Sequence, residues 1–226
     1  MHKHLTLVFA TLALSVAAFA QFQDNGYQIG YAANLNIGDS EINISNDGFR
    51  AGFYPNALGA GNICANVYVF DPQEEEVACC SCLVTPNGLV SLSAKNDLIS
   101  DVLTPAIPTS IVVKVTATVP GTSTGTNYNV CNPTLAATVT PGPQALQEGL
   151  LVWGVTLEPS QSAGTYGPVN VPFINGTANL TVPATGVGAG GEIAELSTVC
   201  AFVQQEGTGF GVCKSCVLGA LGGNKN

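Results

Sequence analysis

A chain of 226 residues with a formal net charge of −9 and only six Lys and Arg has too little positive charge to hold a phosphate backbone, which excludes nucleic acid as a partner. Its two histidines, His2 and His4, both fall at the very start, so the body of the chain has no histidine for Ser-His-Asp or Cys-His catalysis, metal ligation or proton shuttling. Charged residues make up 9% of the chain and mean hydropathy is positive at +0.32, a composition that suits a surface partly covered by copies of the same chain.

His2, Lys3 and His4 precede an apolar run from Leu5 to Ala18, and Ala18-Phe19-Ala20 forms a small-x-small cleavage site before Gln21. This is the layout of a secretory signal, so residues 1–20 are expected to be removed and residues 21–226 to fold as a single β-sandwich domain outside the cytoplasm. The run is shorter than the ~20 residues of a comfortable membrane-crossing helix. No later stretch is long and apolar enough to be a transmembrane segment, so the product is expected to be secreted or held at the cell surface.

Strand-like runs then recur between turn signals. Tyr27 to Ile37 and Glu41 to Ser45 lead to Asn46-Asp47-Gly48. Asn62 to Phe70 alternates, with Ile63, Ala65, Val67 and Val69 on one side and Cys64, Asn66, Tyr68 and Phe70 on the other. Val77 to Thr85 meets Pro86-Asn87-Gly88 and Leu89 to Ala94 returns, which predicts a hairpin. Ser110 to Val119 is β-branched and the plainest strand; Leu135 to Thr140, Leu150 to Leu157 and Ala178 to Val182 follow in the same style. Three runs close on proline (Pro120, Pro141, Pro183), which cannot donate to a ladder. Strands at this density predict a mainly β fold, a disulfide-stabilised β-sandwich. One segment departs from that pattern. Ile193, Leu196, Val199, Cys200 and Val203 have helical spacing, with Glu192 and Glu195 in the first turn and Gly207 past the end. One short C-terminal α-helix is expected from about 191 to 205. A shorter helix fits Asp97 to Val102, and Thr122 to Asn127 and Gly186 to Gly191 read as loops.

All eight cysteines lie in the expected mature part: Cys64, Cys79, Cys80, Cys82, Cys131, Cys200, Cys213 and Cys216. An even number in an exported chain points to disulfides, with the C-terminal segment cysteine-rich. Neighbours in Cys79-Cys80-Ser81-Cys82 point opposite ways on an extended strand and should reach separate partners. At least one bridge is expected to join the middle of the chain to its C-terminal segment; the spacing leaves the pairing open. A redox site at Cys213-x-x-Cys216 lacks the βαβ setting such motifs use. A zinc or iron–sulfur site on both cysteine clusters fits the spacing but not an oxidising compartment. Haem attachment needs histidine where Val217 stands.

Other constellations are weaker. Gly186-Val187-Gly188-Ala189-Gly190-Gly191 matches a dinucleotide fingerprint with Glu206 downstream, but Pro183 intervenes and no βαβ unit surrounds it. It reads better as a glycine hinge. Glu74-Glu75-Glu76 after Asp71-Pro72 offers calcium oxygens but reads first as a solvated acidic turn. Asn43 to Gly48 echoes a calcium loop, with Tyr54 where the bidentate glutamate should be. No pair of carboxylates stands out for glycoside hydrolysis, and the nucleophile-elbow and P-loop motifs are absent. No cofactor or metal is expected. Asn43, Asn175 and Asn179 begin N-x-[ST] triplets and are candidate glycan acceptors. Trp153, Tyr27, Tyr31, Tyr54, Tyr68 and Tyr166 are candidates for stacking on sugars, against the plainer reading of core or sheet-face aromatics.

The landmarks Leu35-Asn36-Ile37-Gly38-Asp39, Asn62 to Pro72, Cys79-Cys80-Ser81-Cys82 and Thr85-Pro86-Asn87-Gly88-Leu89, with Cys200 to Val203 and Gly207 to Cys213, resemble uncharacterised exported cysteine-containing β-proteins common in acidobacteria. The resemblance covers most of the expected mature chain. It implies export and the cysteine framework, and no activity.

The expectation for function is an extracellular structural protein and not an enzyme. It would be a subunit of a fibre, pilus-like filament or surface layer, assembled with copies of itself through β-strand edges between Tyr27 and Ser45. The alternative is a secreted module that binds glycans or another surface ligand; a carboxylate or thiol-redox enzyme is the third reading.

Overall fold

The computed structural model describes residues 26–48, 61–121, 131–135, 146–176, 191–205, 210–214 and 216. The expected signal, the runs 136–140 and 178–182, the glycines 186–190, Tyr54 and Asn179 lie outside the described residues.

Nine strands are described: β1 (Tyr27–Ala32), β2 (Glu41–Asn46), β3 (Ile63–Phe70), β4 (Glu76–Val84), β5 (Leu89–Ser93), β6 (Ile111–Thr118), β7 (Leu150–Pro159), β8 (Tyr166–Pro172) and β9 (Ile174–Asn175). They form two antiparallel sheets, one ordered β4-β3-β6-β1-β9 and the other β5-β2-β7-β8. Among the described residues one α-helix, α1 (Glu192–Gln205), falls where the spacing of Ile193, Leu196 and Cys200 placed it. The expected fold class, a mainly β, disulfide-stabilised sandwich with one short helix near the C-terminal end, is the one observed.

Register explains the core. Val67 lies opposite Cys80 on one side and Val115 on the other, and Ala65 opposite Cys82 and Ala117. With a side-chain period of two, these residues share the inner face and meet Ile42, Ile44, Leu92 and Leu150 from the second sheet. A polar side chain, that of Gln28, also crosses this interior. Gln28 Nε2 donates to the Leu150 carbonyl at 2.8 Å, and the Val152 amide donates to Gln28 Oε1 at 2.9 Å. Both ends of the buried amide are therefore used, and it ties β1 to β7.

Part of the outer face of the first sheet is buried as well. Tyr27, Tyr68 and Cys79 form a second apolar cluster with Ile193, Leu196 and Cys200 of α1. This is why β3 and β4 are buried almost along their whole length, while β7 alternates between buried and open positions.

Four disulfides join Cys64–Cys131, Cys79–Cys200, Cys80–Cys213 and Cys82–Cys216. Alternation along β4 sends Cys79 outward to the helix and Cys80 and Cys82 inward to the C-terminal segment. That segment also closes the β4 edge. The Cys79 amide donates to the Gly211 carbonyl at 2.8 Å, and Val212 bridges Cys79 in parallel. Gly211 has φ +75°, and a Cβ there would come within 2.2 Å of Val203, so glycine is required.

Several expectations are corrected. Val77–Thr85 and Leu89–Ala94 are not a hairpin: β4 pairs with β3 and β5 with β2, so Pro86-Asn87-Gly88 turns a corner between sheets. Asn46 draws the chain across. Its carbonyl accepts from the Asn87 amide at 2.8 Å, and its Nδ2 donates to the Val84 carbonyl at 3.0 Å. The first strand stops at Ala32, not Ile37, because Leu35–Ile37 fold into a turn held by the Ile37 amide donating to the Asn34 carbonyl at 2.8 Å. β2 has partners on both sides and is no edge. The second short helix is a single π-helical turn at Ala94–Leu98. β8, with Gly167, Pro168 and Pro172, was not predicted as a strand.

Candidate functional site: an acidic cleft and a bare sheet

The helix does not seal the outer face of the first sheet along its length. Between α1, the turn 71–75 and the ends of β3 and β6 lies a cavity of about 810 Å³. Its apolar walls are Phe70, Leu103 and Val112 on one side and Leu196, Val199, Phe202 and Val203 on the other. Carboxylates ring it: Asp71, Glu74, Glu75, Glu76, Glu192 and Glu195. Among the described residues Lys114 is the only basic one in its lining. It is already engaged, with Nζ 2.5 Å from Glu192 Oε1 and 4.7 Å from the Phe70 ring centre.

The acidic triplet divides. Glu74, with φ +67°, and Glu75 are exposed in the turn, as a solvated acidic turn requires. The turn is organised by Asp71, whose Oδ1 accepts from the Gln73 amide at 2.9 Å and the Glu75 amide at 3.0 Å. Glu76 is different. It opens β4, is 8% exposed, and neither carboxyl oxygen has a hydrogen-bond partner among the described residues. Its oxygen and the sulfurs of Cys79 and Cys200 lie within 4.8 Å of one another. Burial pushes its carboxyl up to about 8, against the pull of Lys114. Beside it the Tyr68 hydroxyl donates to the Pro133 carbonyl at 2.8 Å, and burial, then the Glu76 charge, hold that phenol protonated. The Tyr27 phenol is held the same way by burial and by Glu192.

Among the described residues no three carboxylates bring their oxygens within 4.8 Å of one another. The sulfurs of Cys80, Cys82 and Cys216 do gather to that distance, and all three belong to the adjacent cross-links Cys80–Cys213 and Cys82–Cys216.

The second sheet has no covering layer among the described residues. Across its outer face Leu89, Ser45 and Leu151 align, and beside them Ser91, Asn43, Trp153 and Pro172. Leu89 is 52% exposed and Leu151 44%. Both edge strands, β5 and β8, are unpaired on their outer sides among the described residues.

The glycan acceptors separate. Asn43 is 8% exposed in mid-strand, with Oδ1 accepting from Ser91 Oγ at 2.6 Å, so its side chain is not presented to solvent for a sugar. Asn175 is exposed on β9. Of the aromatics, Tyr27 and Tyr68 are core, whereas Trp153, Tyr31 and Tyr166 are exposed. The sequence names Phe70 only as a strand-face residue and Glu192 only as a first-turn residue of the helix, and does not single out Lys114. Lys114 was visible as the lone charge in a β-branched run, on the same side as Thr116 and Thr118.

Comparison with protein-family models, with curated proteins and with solved structures gives no match, so function is argued from geometry.

Proposed function

We propose that this protein is an extracellular structural subunit, not an enzyme, that assembles with copies of itself into a filament or surface layer through its second sheet. The observation that carries the reading is an asymmetry between the two sheets. The first sheet is partly covered by α1 and closed at β4 by a cross-linked segment. The second offers exposed Leu89, Leu151 and Trp153 and two unpaired edges among the described residues. Unpaired edges and an apolar face are what strand addition and face packing use. Four disulfides suit an oxidising compartment, and no described helix is long and apolar enough to cross a membrane.

A second reading is favoured by Trp153, which stands exposed beside the polar Asn43 and Ser91, the arrangement a sugar face uses. The two separate in one experiment. The oxidised mature protein is run by light-scattering size exclusion and negative-stain microscopy over a concentration series, then on a glycan array. Self-assembly weakened about tenfold or more by Trp153→Glu with Leu89→Lys supports the structural role. A monomer at every concentration overturns it, and glycan binding lost in Trp153→Ala replaces it with the second reading.

A further inference from the structure

The geometry points to the cleft between α1 and the first sheet as a binding site for a small organic cation with an apolar tail, an alkylammonium. This goes beyond the assembly role and uses the opposite sheet, so either can fail without the other.

Three features of the cleft fit that chemistry together. First, its charge is unbalanced: six carboxylates face one lysine, and that lysine is spent on Glu192 and Phe70. Second, Glu76 is more than nine-tenths buried, lines the cavity and has no partner for either oxygen among the described residues. A buried carboxyl without a donor is costly, and an ammonium N–H is the donor that would satisfy it. Third, the remaining walls are apolar and partly open: Phe202 is 58% exposed and Val112 38%. A cavity of about 810 Å³ is in the usual range for small ligands.

The same features exclude neighbouring classes. Calcium needs six to eight converging oxygens (about that number), and here no three carboxylates converge among the described residues. Anions meet the wrong charge. A neutral lipid would fill the walls and leave Glu76 unanswered.

Binding should also move a proton. With the cleft empty, burial keeps Glu76 protonated to about pH 8. The groups facing it are Tyr68 from β3 and Lys114 from β6, with the Cys79–Cys200 bridge from β4 and α1; Glu192 and Glu195 of α1 line the same cavity. Both tyrosines of this region, Tyr27 and Tyr68, stay protonated throughout. An ammonium brought against Glu76 favours the carboxylate, so loading at neutral pH releases a proton.

The test is calorimetric titration of the oxidised mature protein with n-octylammonium chloride at neutral pH, in two buffers of different ionisation enthalpy. The controls are n-octanol, sodium n-octanoate and calcium chloride alone. Expected are one site for the ammonium, binding about tenfold or more weaker for octanol and octanoate, and proton release on loading. Glu76→Gln should weaken binding by a similar factor and abolish the proton release. Val199→Trp, which fills the cleft and leaves every carboxyl group in the sequence, should abolish binding. Octanol binding as tightly as the ammonium, an unaffected Glu76→Gln, or calcium binding that Glu76→Gln removes would overturn the proposal. Should Glu76→Gln fail to fold, Val199→Trp and Glu195→Gln decide: undiminished ammonium binding in both overturns it.

Discussion

Glu76 illustrates how one side chain sets a property of the folded state. Its carboxyl titrates at 4.5 in an open chain and at about 8 when folded, through burial. Between these values the folded protein keeps a proton that the unfolded chain has released. Stability therefore falls as pH rises through this window, by at most about 1.4 kcal/mol per pH unit, and levels off above pH 8. Urea unfolding with the bridges intact, measured across the window, should show this decline, and Glu76→Gln should flatten it and exceed the parent by roughly 1–2 kcal/mol at the alkaline end. An equal slope in the variant would show that the carboxyl is solvated. In the sequence this residue is one of three consecutive glutamates. What separates it from Glu74 and Glu75 is where the turn ends, and Asp71 sets that by capping the Gln73 and Glu75 amides.

At the scale of elements, tight places are specified by glycine. Gly30 on β1 lies under the Phe173 ring, where a Cβ would come within 2.2 Å. Gly30→Ala should cost about 1–3 kcal/mol in chemical denaturation, and Phe173→Leu on that background should recover part of it; additive losses would rule out the contact. Gly211→Ala should cost at least about 1 kcal/mol for its positive φ alone, with loss of amide protection at Cys79 in hydrogen exchange. Which elements were readable follows from the same physics. β3, β6 and α1 stand out because branched or helically spaced apolar residues recur along them with no Gly or Pro between. β8 escaped because its prolines and glycine are turn signals, tolerated here at an edge where one side of the ladder needs no donor. The misplaced hairpin has a similar origin. Pro86-Asn87-Gly88 specifies a reversal but not which sheet the next strand joins, and Asn46, forty residues earlier by roughly that count, settles it.

For the whole molecule the cysteines matter most. That Cys79 and Cys80 serve different partners follows from strand alternation; which partners they find depends on where α1 and the C-terminal segment dock, and no local signal encodes that. The cleft was equally hidden, because its carboxylates come from a turn, a strand and a helix far apart in the chain. Thiol titration of the denatured, unreduced protein should find none of these six cysteines reactive, taking Cys79–Cys200, Cys80–Cys213 and Cys82–Cys216 together. Replacing Cys79 and Cys200 by alanine should cost about 2–5 kcal/mol and loosen α1. A variant that unfolds no more easily would mean that the helix is held by packing alone.

Three bridges reach across 121, 133 and 134 residues of sequence to one short stretch of β4. During synthesis from the N-terminal end, Cys79, Cys80 and Cys82 therefore emerge long before any correct mate, crowded beside one another and near Cys64. Maturation should begin with mispaired species that must be reshuffled once the final segment arrives. Pulse-chase alkylation in cells with and without a disulfide isomerase would reveal a lag and scrambled forms in its absence.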